Sequence, residues 1–119
     1  MNVEELRAFC LSLKGVEEGF PFDESTLVFK VMGKMFCLCG LENNPVQFNV
    51  KCDPEKAIEL REEYSGVLPG YHMNKTHWNT LVFDGSFDDE QARGWINDSY
   101  ALVAASLPKK LKEELAELS

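Results

Sequence analysis

Two hydrophobic periods alternate along the chain and divide it into elements. Leu6, Phe9, Cys10 and Leu13 recur at helical spacing behind Asn2, a residue suited to cap a helix, with Glu4 and Glu5 in the first turn. They predict an amphipathic helix over residues 2–14, stopped at Lys14-Gly15. The period then shortens. Thr26 to Met32 and Met35 to Leu41 are strand-like runs separated by Gly33-Lys34, the two-residue spacing of a tight hairpin. Asn43-Asn44-Pro45 turns the chain into a third strand, Val46 to Cys52, where apolar and polar residues alternate. Asp53-Pro54 offers a cap and a proline at the first helical position, and Ala57, Leu60, Arg61 and Tyr64 give this second helix one face before Ser65-Gly66. Two short extended segments follow, Tyr71 to Lys75 and Asn79 to Phe83, around Thr76-His77-Trp78. Beyond Asp84-Gly85, Ala92, Trp95, Ile96, Ser99 and Val103 form the stripe of a third helix that runs to Leu107. Pro108 breaks it, and Leu111, Leu115 and Leu118 mark a short final helix.

The order is α-βββ-α-ββ-α-α, which predicts an α+β fold with an antiparallel sheet and helices packed on one face. No repeat or linker divides it, so residues 1–119 are read as one domain. A Gly33-Lys34 turn sets Met32 opposite Met35, Val31 opposite Phe36, Lys30 opposite Cys37 and Phe29 opposite Leu38. One face then gathers Leu27, Phe29, Val31, Phe36, Leu38, Val46, Phe48 and Val50 as the expected core layer. The other gathers Val28, Lys30, Met32, Met35, Cys37, Cys39, Gln47, Asn49 and Lys51, either a solvated sheet face or a ligand surface.

Composition adds limits. The 45% apolar and 27% charged fractions are those of a globular chain, and no apolar run approaches the roughly 20 residues of a membrane span. The opening Met1-Asn2-Val3-Glu4-Glu5 is acidic where a secretory signal is basic and then apolar, so a cytoplasmic protein is expected, with Cys10, Cys37, Cys39 and Cys52 as free thiols. Twelve basic against twenty acidic residues give a net charge of −8, which repels phosphate backbones at long range. The excess of acid lies outside the middle of the chain: residues 26–80 hold six basic and six acidic groups.

Chemistry-bearing patterns are few. Cys37-X-Cys39 points two thiols the same way about 7 Å apart along a strand, whereas zinc sites draw cysteine pairs from a bent turn, so no metal is expected. Nothing resembles a nucleophile elbow, a Walker loop or a dinucleotide fingerprint, so neither an enzyme nor a cofactor is expected. Residues 71–79 are the densest polar-aromatic run, hold both histidines, and contain no acid. Trp78 or Tyr71 there suits ring stacking and Lys75, Asn74 and Asn79 suit donation to a ligand. The same run also reads as a crossover loop pinned by a buried tryptophan.

Phe20-Pro21-Phe22-Asp23, Lys30 through Phe36 with its Gly33-Lys34 turn, Lys51-Cys52-Asp53-Pro54, Pro69 through Lys75, His77-Trp78-Asn79 and Ser99-Tyr100 together resemble the MmcQ/YjbR family of small bacterial proteins. The resemblance spans nearly the whole chain. It implies a CyaY-like or secretion-chaperone-like α+β fold, DNA as the ligand, and Lys30, Lys34, Lys51, His72, Asn74, Lys75, His77, Trp78 and Asn79 as the positions that a shared ligand touches. With so few clustered cations, such binding is expected to be weak and salt-sensitive. The alternatives are a protein-interaction or chaperone-like module, marked by an exposed apolar patch, and a small-molecule or nucleotide binder using His72 to Asn79, marked by a concave pocket.

Overall fold

The computed structural model describes residues 1–70 and 73–118, and the elements run α1 (Val3–Leu11), β1 (Val16–Gly19), β2 (Thr26–Val31), β3 (Lys34–Gly40), β4 (Gln47–Lys51), α2 (Pro54–Glu63), β5 (Val67–Pro69), β6 (Trp78–Val82), α3 (Asp89–Ala105) and α4 (Lys109–Glu117). The strands form one antiparallel sheet in the order β1-β2-β3-β4-β6-β5. Buried side chains of α1 (Leu6, Cys10), α2 (Ala57, Leu60) and α3 (Trp95, Ile96, Val103) share one cluster with Leu27, Phe29, Phe48 and Leu81 of the sheet, so one sheet face is covered by helices.

Local chemistry explains the helix starts. Asn2 and Asp88 each accept a hydrogen bond from the third helical N–H while Glu5 and Gln91 reach back to the cap N–H, two complete capping boxes. Asp53 caps α2 through the Lys56 N–H, with Pro54 at its first position. α4 lacks these aids. It starts at Pro108 without a side-chain cap and carries Lys109, Lys110 and Lys112 at its N-terminal end and Glu113, Glu114 and Glu117 at its C-terminal end, against the helix dipole. Leu115 holds it down: a Cβ at Gly15 would come within 2.8 Å of the Leu115 side chain, and Gly15 also has φ of +71°.

Three sequence expectations are corrected. First, β1 is a strand that alternation does not announce, because its sequence is Val16-Glu17-Glu18-Gly19. As an edge strand it carries charge, and Arg7 of α1 grips Glu18 with three hydrogen bonds, from Nε at 2.7 and 3.0 Å and from Nη2 at 2.6 Å. Second, the last two strands are Val67–Pro69 and Trp78–Val82, whereas residues 73–77 form turns. Asn74 makes those turns: its side chain accepts from the Thr76 N–H at 2.9 Å and its carbonyl from the His77 and Trp78 N–H groups. Expectations that fall on Tyr71 and His72 lie outside the described residues.

The third correction is the register of β2 and β3. Val31 pairs with Lys34, so the two turn residues are Met32 and Gly33, both at positive φ (48° and 88°), not Gly33 and Lys34. A bulge at Phe36 then shifts the pairing, since Lys30 is opposite Met35 but Phe29 is opposite Cys37. One extra residue turns everything beyond it to the other face. Cys37 and Cys39 therefore enter the core beside Phe29 and Phe36, and Leu38, expected there, lies with Val28 on the helix-free face. Ser99 of α3 mends the ladder at the bulge: its hydroxyl donates to the Phe36 carbonyl at 2.6 Å and accepts from the Lys51 N–H at 2.8 Å.

Candidate functional site

The helix-free face is floored by a second small apolar cluster of Val28, Leu38 and Trp78, against which Met35 and Met73 pack. Lys30 and Lys51 alternate with core residues along β2 and β4 and so emerge on this same face. Lys51 is paired with Trp78, and Asn49 with Thr80, across the β4–β6 ladder. Thr80 donates its hydroxyl to the Asn49 side-chain oxygen at 2.5 Å, which fixes the orientation of that amide. Beside the face stands the 73–77 loop, where Asn74, Lys75, Thr76 and His77 are exposed.

Arg61, which sequence reading took only as part of a helix face, positions this loop. From α2 it donates through Nε to the Asn79 side-chain oxygen at 2.7 Å, through Nη2 to the Trp78 carbonyl at 3.3 Å, and through Nη2 to the Lys75 carbonyl. Its planar fork joins helix, strand and loop in one clamp. An arginine in the last turn of a helix gives no signal of that in sequence.

The nine residues singled out by resemblance thus divide. Lys30, Lys51 and Trp78 share the helix-free face, with Asn74, Lys75 and His77 on the adjoining loop. Trp78 is only 7% exposed and serves as floor rather than as a stacking platform. Asn79 is 1% exposed on the helix side, held by Arg61 and by the Ala57 carbonyl, and is not part of the face. Lys34, at the hairpin end, donates instead to the Ser106 carbonyl behind α3, at 3.4 Å. His72 lies outside the described residues.

Two hollows flank the floor. One, of about 320 Å³, lies at the β1 edge between Glu17, Gly19, Phe20, Val28 and Lys30. The other, of about 250 Å³, lies over the β3–β4 end between Leu38, Asn43, Asn49 and Met73, with Thr26 and Glu42 on its rim. Gly40 helps to open it, since a Cβ there would collide with the Asn43 amide. All four cysteines are buried thiols; burial pushes Cys37 well up and Cys39 to about 11, and raises Cys52 too. Among the described residues no three of His, Cys, Asp and Glu group so as to hold a metal ion, and no helix is long and apolar enough to cross a membrane.

Comparison with known proteins places this architecture. The sequence matches the family described as YjbR over residues 11–102. The chain belongs to the YjbR family. It is 31% identical to "Uncharacterized protein YjbR" of Escherichia coli K12 over 118 residues, which covers 99% of this chain and 100% of that one. It is 36% identical to "Uncharacterized protein YbdF" of Escherichia coli O157:H7, with 90% of this chain and 88% of that one covered. Among solved structures, the Deinococcus radiodurans protein DR2400, with a DUF419 domain, superposes with a TM-score of 0.89 at 38% identity, covering 97% of this chain and 88% of that chain. A Pseudomonas syringae protein superposes at 0.73 with 24% identity, covering 86% and 98%, and shares the fold. The α+β architecture is therefore that of YjbR-family proteins.

Proposed function

We propose that this YjbR-family chain is a non-catalytic binding module whose working surface is the helix-free sheet face, and that its ligand is DNA, held weakly. The observation that carries this is the placement of Lys30 and Lys51 together on that face, beside the exposed Lys75 and His77, in a chain of net charge −8. Local positive potential there attracts a polyanion that the molecule as a whole repels. Glu17, directly across from Lys30, and Glu42 at the other end keep that potential modest, so affinity falls in the non-specific range of roughly 10⁻⁴ to 10⁻⁶ M. Burial keeps the Cys37 and Cys39 thiols protonated, which supports reading neither as a nucleophile. Electrophoretic and fluorescence titration with DNA at two salt concentrations tests the reading. Binding should weaken with salt and with Lys30→Ala and Lys51→Ala; affinity that ignores both overturns it.

A second reading, docking of polypeptide, is favoured by Phe20 and Phe22, which are 50% and 64% exposed in the β1–β2 loop at the edge of the same face. Sedimentation over a range of concentrations tests the simplest form of it, a second copy as partner. Association that Phe20→Ser with Phe22→Ser abolishes supports it, and a monomer throughout removes it.

A further inference from the structure

We infer that the hollow over the β3–β4 end is a slot for one unpaired nucleobase, so that a single strand rather than a duplex is the preferred ligand of this face. The inference rests on the nucleic-acid reading above and names its ligand more closely.

Size comes first. At about 250 Å³ the hollow lies below the roughly 300–1,000 Å³ of sites for drug-sized ligands and holds about eight waters at roughly 30 Å³ each, room for a single small ring system. Its apolar boundaries are Leu38 from the sheet and Met73 from the loop after β5, and a thioether suits contact with an aromatic ring. Its polar side chains are the Asn43 and Asn49 amides, the Ser25 and Thr26 hydroxyls and the Glu42 carboxylate. Asn49 gives its oxygen to Thr80, which leaves its Nδ2 hydrogens without a partner among the described residues. Asn43, laid over Gly40, offers a donor and an acceptor side by side, the arrangement by which amides pair with the edge of an adenine. In a duplex that edge faces the major groove while the ring stays stacked and paired, whereas an unpaired base splays out and brings the whole ring into a slot.

Charge then separates base from phosphate. Glu42 on the rim disfavours an anion inside the slot. Side chains on a sheet face recur every second residue, about 7 Å along the strand, so Lys51 lies one step from Asn49 on β4, and Lys30 lies one step from Val28, the β2 partner of Leu38. A neutral ring at Asn43 and Asn49 with its backbone toward the lysine row satisfies both halves of the face. Trp78 remains the floor beneath, since it is buried.

The test is fluorescence anisotropy at low salt with three labelled DNA probes of equal length: an adenine-rich single strand, its duplex, and an abasic strand that keeps the phosphates and lacks the bases. The single strand should bind about tenfold more tightly than the other two, the scale of one good pairing between an amide and a base edge. Asn43→Ala should erase that preference without changing the thermal midpoint, and the pair Lys30→Ala with Lys51→Ala should weaken all three probes alike. Equal affinity for the single strand and the abasic strand, or tighter binding of the duplex, overturns the slot while leaving the nucleic-acid reading intact. Failure of all three probes to bind overturns both.

Discussion

Ser99 ties α3 to the sheet through a single hydroxyl. Fully buried, its hydroxyl donates to the Phe36 carbonyl and accepts from the Lys51 N–H at the bulge, so Ser99→Ala takes a partner from two backbone groups at once. At about 1–3 kcal/mol for each group left unsatisfied, the variant should lose roughly 2–6 kcal/mol in denaturant unfolding. A loss under about 0.5 kcal/mol would show that the ladder does not need it. Asp84 makes a different kind of prediction. Hydrogen bonds from the Ser86 and Ser65 hydroxyls and the Ser86 N–H hold its carboxyl down at about 2. A carboxylate whose folded pKa is depressed adds stability above its ordinary value near 4, and that share disappears as pH falls toward about 2. Asp84→Asn should therefore lower the thermal midpoint at neutral pH, and the gap from the parent should close on acidification through that window. A gap that persists at pH 2 would locate its origin elsewhere.

Elements with a clear period were legible in sequence; elements defined by one irregular residue were not. The four helices were found because capping residues and apolar stripes announce them: Asn2, Asp53-Pro54 and the Ala92-to-Val103 stripe all fall where the structure uses them. β1 was missed because Glu17 and Glu18 are edge protection, and edge protection erases alternation. The faces of β3 were misassigned beyond Phe36 because a bulge leaves no mark in a run as uniformly apolar as Met35 to Leu41. Of the candidate site, Lys30 and Lys51 were placed together by strand parity alone, whereas Asn79 was lost to the core because residues adjacent on a strand point opposite ways. The corrected register carries its own prediction. A thiol reagent should label none of the four cysteines rapidly in the folded protein and all four in denaturant. Rapid native labelling at Cys37 or Cys39 would restore the helix-free assignment.

Over the whole molecule, charge and shape act at different ranges. The net charge of −8 sets the far field, which slows the approach of any polyanion, while the lysine row acts within about a Debye length, roughly 10 Å at 0.1 M salt. Raising salt weakens the lysine contacts and the long-range repulsion together, so the observed slope should be shallower than contact counting suggests. Two phosphates neutralised by Lys30 and Lys51 on a single strand give a slope of log affinity against log salt near −1.4, from about −0.7 per contact. A slope steeper than about −3 would require cations that this face does not possess, and would move the contact surface elsewhere.

α4 gives the molecule an end expected to open ahead of the core. Its lysines and glutamates oppose its own dipole, it has no side-chain cap, and it is nine residues long, short of what holds an isolated helix together in water. What keeps it folded is the seat that Gly15 leaves for Leu115, so helix formation and docking are one event rather than two. Its amide hydrogens should therefore exchange with deuterium through a small opening that leaves the sheet intact, far ahead of the β3 amides, which wait for global unfolding. Gly15→Ala, which also strains a backbone at positive φ, should hasten exchange in α4 far more than in β3. Equal protection of α4 and β3 would place the terminal helix inside the same cooperative unit as the core.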